Sequence, residues 1–250
     1  MGVLAAVAPT LAAAAETSER PQDAAIRAVI VTGVDWPGRP PNVPGHEWKK
    51  TAPALKDILE TDPRFQVTIV EDPAFLASDE LFAFDEINLH FKNLEPIPNE
   101  QKAKANLLRF VREGGGLVVI HYASGAFEGW TEFQNLVGRT QGKRHDKRAP
   151  FTVKMVDHEH PVTRGLEDFE ADDELFIDLT GERPVQVLAS ATSNITGKEH
   201  PMAFVFSYEK GRVFHTTLGH DVTAIRGEGT SELIRRGATW AAGVSQGNER

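Results

Sequence analysis

Apolar and polar residues alternate between two periods along this chain. Residues 25–32 (AIRAVIVT) form an apolar run with one basic residue, as expected of a strand covered on both faces. In residues 48–60, Trp48, Ala52, Leu55, Ile58 and Leu59 fall at helical spacing, with Pro53 in the first turns, where it costs least. Residues 65–70 alternate as a second strand. A third strand is expected within residues 81–94, although positions 85–88 (DEIN) are unusually polar. A helix is predicted over 98–113, with Asn99 as N-cap and Gly114 as its C-terminal stop. Strand 117–120 and a short amphipathic helix at 128–136 follow.

The period then changes. Residues 151–156 alternate like a half-exposed strand, 169–179 mix polar and apolar residues around Asp172, Asp173 and Glu174, and 185–191 read as a strand. Residues 202–208 and 211–216 flank Glu209-Lys210-Gly211 as a β-hairpin. The last helix is expected at 230–242. Strands alternating with helices predict an α/β protein: a mostly parallel central sheet with helices on both faces, flavodoxin-like in class.

Both ends fall outside this pattern. Residues 2–15 carry no charge and finish in Ala13-Ala14-Ala15, an A-x-A site. They resemble the apolar core of a secretory signal peptide, which predicts an exported protein, periplasmic or secreted. The run is too short to span a bilayer as a helix. Residues 16–25 read as a polar linker, 26–243 as one folded body and 244–250 as a tail.

Composition narrows the function. The net charge is −9, so a nucleic acid is not the expected partner. With no cysteine in the chain, disulfides, thiolate metal sites and a cysteine nucleophile are excluded. The triple glycine at 114–116 precedes a strand and lacks a following GK[ST], so it is not a phosphate loop.

Candidate chemistry centres on histidines at strand ends. His121 follows the strand at 117–120, His220 follows the hairpin (LGHD), and His46 stands in GHEW. The carboxyl ends of parallel strands share one edge of a sheet, so such residues can converge. Asp172, Asp173, Glu174 and Asp221 are the carboxylates that could orient or exchange protons with them. Imidazoles with a carboxylate also suit a divalent metal such as zinc, and His121, His145 and His220 are the first choice of ligands. No HExxH run supports a metal, and Pro161 directly follows His158 and His160. Ser124 lies in HYASGA rather than G-x-S-x-G, which argues against a serine elbow.

Together, GHEW at 45–48, the helix–GGG–strand–His run through His121, HPVTRGL at 160–166 with DEL at 173–175, and GRVFHTTLGHD at 211–221 resemble the ThuA-like (trehalose-utilisation) family. The resemblance covers nearly all of 26–243 and implies the fold of class I glutamine amidotransferases. In that fold a cysteine normally sits at a sharp strand–helix elbow, near the position of His121. The resemblance therefore implies the scaffold without glutamine hydrolysis, and a small-molecule carbohydrate, a sugar or keto-sugar, as ligand. On this reading His121 is the central acid/base or ligand, and His46, His220 and Glu174 line the same pocket. Asp173 and Asp221 are orienting or substrate-binding groups, and Trp48 and Tyr122 stack on a sugar ring. The alternatives are a non-catalytic sugar-binding or interaction module and a hydrolase using Ser124. A homo-oligomer stays open.

Overall fold

The computed structural model describes residues 20–33 and 46–244. Residues 1–15, the first four residues of the expected linker and most of the tail lie outside these, as does nearly all of the loop before His46. Arg20, in the middle of the expected linker, is tied to the body: its N–H donates to the Gly243 carbonyl at 2.8 Å, and its guanidinium lies 3.4 Å from Asp85.

Among the described residues nine strands form one sheet, in the order β2-β1-β3-β4-β9-β8-β7-β5-β6. Strands β1 (Ile26–Val31), β2 (Phe65–Val70), β3 (Glu86–Leu89), β4 (Gly116–Ile120) and β9 (Gly211–Thr216) are parallel to one another. From β9 onward, through β8 (Glu199–Tyr208), β7 (Gln186–Thr192), β5 (His145–Met155) and β6 (Phe169–Phe176), every pairing is antiparallel. The sheet is therefore mixed, and the expectation of a mostly parallel sheet is corrected. Connection length is the cause. Tyr208 pairs with Gly211, leaving Glu209 and Lys210 to make the turn, whereas a parallel crossover needs a dozen residues or more.

Helices cover both faces. On one side α1 (Trp48–Leu59) and α5 (Glu228–Ala241) pack Leu55, Leu59, Ile234 and Ala238 against Ile26, Ala28 and Ile30 of β1 and Val118 and Ile120 of β4. On the other, α2 (Glu100–Arg112) and α3 (Thr131–Val137) bring Leu107, Val111, Phe133 and Leu136 to Val29, Val31, Leu117 and Val119. The period-two split of β1 and β4 between two cores explains why both read as unbroken apolar runs. A short helix, α4 (Val222–Arg226), precedes α5. The triple glycine is used structurally: Gly114 has φ +119°, and a Cβ on Gly116 would meet the Ala241 carbonyl oxygen at 2.6 Å.

Two local expectations change. Asn99 stands before α2 with φ +54° and makes no side-chain cap; the Glu100 carboxylate instead accepts from Ile97 N–H at 3.2 Å. The third strand spans only four residues, with a 3₁₀ turn at Asp79–Ala83 before it. Its polarity has specific causes. Asp85 takes the Arg27 guanidinium, while Glu86 and Asn88 are fully buried, with Asn88 Nδ2 donating to Glu86 Oε1 at 2.8 Å.

Burial pushes the Glu86 carboxyl up to about 8, against the weaker pull of the Asn88 hydrogen bond, so Glu86 folds as the neutral acid. Its folded pKa is above its unfolded value. The stability tied to its protonation is therefore complete below about pH 4.5 and is lost as pH rises toward 8. Glu86→Gln removes that dependence. Urea unfolding of both proteins from pH 5 to 8.5 should show the variant gaining on the wild type by more than about 1 kcal/mol. Parallel curves would mean that Glu86 is ionised without penalty.

Candidate active site

The parallel strands deliver their carboxyl ends to one edge. His121 is the first residue beyond β4 and opens a 3₁₀ turn, His121–Gly125. Its φ is +48°, a left-handed conformation that costs a residue with a Cβ about 1–2 kcal/mol. Two contacts hold it there. Ring Nδ1–H donates to the Thr217 carbonyl at 2.6 Å, and the Ser124 hydroxyl donates to the His121 carbonyl at 2.9 Å. A carbonyl only accepts, so the proton of the neutral ring is on Nδ1 and the Nε2 lone pair faces inward. The Phe176 ring stacks on the His121 imidazole at 4.6 Å.

His220 arrives from the end of β9. Gly219 before it has φ +119°, and a Cβ there would meet Ile120 Cγ2 at 3.1 Å. His46 enters just ahead of α1. Its ring lies flat on Tyr122 (4.0 Å, 15°) and is centred 5.1 Å from His121 and 4.9 Å from His220. Glu174, on β6, completes the group. Its Oε2 is 3.3 Å from His220 Nδ1 and 3.8 Å from His121 Nε2. One donor atom from each of His46, His121, Glu174 and His220 lies within 4.8 Å of the others. His46 Nε2 and His121 Nε2 are buried without a hydrogen-bond partner among the described residues.

Charge is unevenly shared. Burial, then the nearby His121 and His220 charges, hold His46 far below the ordinary imidazole range. Burial and the His220 charge bring His121 down to about 4. Burial would lower His220 too, but the approach of Glu174 outweighs it, helped by Asp173 and Asp221, and raises it. Burial would raise Glu174, and its approach to His220 with the His220, His121 and His145 charges holds it lower instead. Glu174 and His220 thus each favour the charged form of the other, while His46 and His121 favour the neutral imidazole.

The four residues expected to be catalytic thus converge, while the expected binding residues take other roles. Asp173 is 1% exposed and does not face a ligand. Its carboxylate accepts from the backbone N–H of Gly219 (2.6 Å), His220 (3.2 Å) and Glu174 (2.8 Å), so of its two expected roles these contacts match the orienting one rather than substrate binding. Asp221 caps α4 through Ala224 N–H at 2.9 Å and pairs with Arg148, again a positioning role. Tyr122 is buried under His46, and its hydroxyl donates to the His90 carbonyl at 2.8 Å, so its face is not offered to a sugar. Trp48 is half-buried at the start of α1, with Lys49 Nζ 5.3 Å above its ring. His145, expected as a metal ligand, stays outside the group of four. It is the more open of the imidazoles beside Glu174, 3.7 Å from the carboxylate, with 39% of its side chain exposed. Ser124 is fully buried and bonded to backbone, which removes the serine-hydrolase alternative.

Sequence reading missed three supports: Phe176, Thr217 and His90. His90 follows β3 and is fully buried. Its carbonyl also accepts from the Thr32 hydroxyl at 2.8 Å. It shares the strand-end setting of the other histidines, a signal that the polar third strand obscured.

This geometry defines an amidotransferase-like α/β protein whose strand-end centre is made of histidines and a carboxylate in place of a thiol. The ThuA family model, described as trehalose utilisation, matches residues 40–241, and the chain belongs to that family. A ThuA-like protein from Parabacteroides merdae superposes with a TM-score of 0.75 at 26% identity, over 87% of this chain and 90% of that one. One from Bacteroides uniformis gives 0.67 at 19% identity, over 91% and 94%. A glutamine amidotransferase from Thermotoga maritima shares the fold, with a TM-score of 0.53 at 12% identity over 87% and 98%. No curated protein matches in sequence. Among the described residues, no helix is long and apolar enough to cross a membrane.

Asp173→Asn would set an amide N–H or a weaker acceptor against the backbone N–H groups that Asp173 now satisfies. It should cost about 2–3 kcal/mol in chemical denaturation. A change below about 0.5 kcal/mol, the scale of an ordinary surface substitution, would remove Asp173 from its positioning role.

Proposed function

We propose that the protein processes a sugar or keto-sugar, of disaccharide or glycoside type, at the centre formed by His46, His121, Glu174 and His220. The observation that carries this reading is the convergence of those four side chains from four separate segments. Membership of a family described by trehalose utilisation supports the substrate class. The centre presents an imidazole lone pair at His121 Nε2, a carboxylate at Glu174 and, at His220, an imidazole whose protonated form Glu174 favours. His121 Nε2 and His220 Nδ1 each lie within 4 Å of the carboxylate. Such a set can take a proton from a carbon or hydroxyl beside a carbonyl and return one to oxygen. Trp48, two residues on from His46, offers an apolar ring face for sugar C–H bonds. The chain has no cysteine, so no thiol is available for glutamine hydrolysis, and that activity is not part of the proposal.

The test is incubation of the full chain with trehalose, sucrose and their 3-keto derivatives, followed by NMR and mass spectrometry. Conversion of at least one is expected, with a loss of about 100-fold or more in His121→Ala and Glu174→Gln. Binding without conversion would overturn catalysis in favour of a sugar-binding module. Conversion unchanged in His121→Ala would place the reaction elsewhere.

A further inference from the structure

We propose that His46, His121, Glu174 and His220 bind one divalent transition-metal cation, with zinc as the ion to test. The inference uses the same four residues as the proposed function but does not depend on the sugar.

Four observations carry it. Two buried imidazole nitrogens, His46 Nε2 and His121 Nε2, have no hydrogen-bond partner among the described residues, although buried polar atoms are normally paired, and buried His220 Nδ1 faces the Glu174 carboxylate at 3.3 Å. They belong to one group with the Glu174 carboxylate, all donor atoms within 4.8 Å of one another. A zinc ion with bonds of about 2.0–2.2 Å holds tetrahedral donors roughly 3.4 Å apart. The His220–Glu174 separation is already 3.3 Å and the His121–Glu174 separation 3.8 Å, so closing on a cation requires only small movements.

Next, the His121 ring is set as metal-bound imidazoles are set. Its Nδ1–H is committed to the Thr217 carbonyl at 2.6 Å, which fixes the tautomer and directs the Nε2 lone pair at the centre. Third, the scaffold holds the donors under constraint. His121 is kept at φ +48°, the Asp173 carboxylate pins the backbone of His220, and Tyr122 backs the His46 ring. Fourth, the donor chemistry is selective. Three imidazoles and one carboxylate, without thiolate, suit zinc and its first-row neighbours rather than calcium or magnesium, which take oxygen ligands. A cation here would polarise a sugar carbonyl or hydroxyl, or acidify a bound water.

The ligand set differs from the one first expected, with His46 and Glu174 in and His145 out. His145→Ala is therefore the control. The experiment is elemental analysis of the full chain purified without a histidine tag, then titration of the chelator-treated protein with ZnCl2. Calorimetry and thermal unfolding are the readouts, and Co2+ serves as a visible-absorption probe. One equivalent per chain is expected, with a Tm that rises with zinc and cobalt bands of a nitrogen–oxygen site. Glu174→Gln, close in shape to the native side chain, and His46→Ala should weaken zinc by at least about tenfold. His145→Ala should bind it as the wild type does. Matching Tm values of the metal-free proteins separate loss of ligand from loss of fold. Substoichiometric metal with no zinc-dependent Tm shift would overturn the proposal. So would loss of zinc in His145→Ala equal to that in His46→Ala. Zinc bound without sugar turnover would sink the proposed function alone, and sugar turnover by a protein that binds no zinc would sink the cation alone.

Discussion

Asp173 lies in the interior with its carboxylate aimed at the backbone of the loop that follows β9. It accepts from Gly219 at 2.6 Å and His220 at 3.2 Å. Burial raises its pKa to about 6, against the backbone donors that favour the anion, so it remains ionised at neutral pH. Through this contact the antiparallel ribbon of β5 and β6 is fastened to the parallel half of the sheet. The next residue is Glu174, so the anchor also sets where the one carboxylate of the centre can be. Regular alternation would send Asp173 and Glu174 to opposite faces. Burial on β6 follows that alternation, with Asp173 buried and Glu174 partly open, up to Leu175. The register shift in β5 between Asp146 and Ala149 lies opposite Glu174, a placement common for bulges beside functional sites.

The second constraint is the conformation of His121. A left-handed residue with a Cβ persists only where its surroundings over-determine it. Here Thr217, Ser124 and the Phe176 ring do so together. The strained position at the end of β4 is occupied here by an imidazole. The fold is shared with a glutamine amidotransferase, but a fold does not fix a chemistry, which belongs to the side chains it carries.

Much of this was readable from residue order. The two-sided apolar runs of β1 and β4, the helical spacing of α1 and α5, and the strand-end histidines follow from periodicity and local chemistry. Convergence of His46, His121 and His220 follows from the shared edge of parallel strands. The β8–β9 hairpin was readable from its short turn, but the partners of β5, β6 and β7 were not, because period-two alternation marks a half-exposed strand but not its partner. Nor was the role of Tyr122. An aromatic one residue from His121 looks like a binding group, and only tertiary contacts show that it is spent on positioning. The first half of β5, HDKRAP, carries too much charge and a proline to read as a strand.

The centre draws on positions 46, 121, 174 and 220, spread over most of the chain. Synthesis runs from the N-terminus, so a growing chain holds two of the four groups for a long interval and gains the last only when most of the protein has been made. His220 is also held by a carboxylate on another strand, so its arrival alone does not finish the centre. The four groups share one centre only when β9 lies beside β4 and Asp173 holds the backbone of Gly219 and His220. A nascent chain that has not reached position 220 therefore presents no completed constellation to capture stray ions or reactive small molecules.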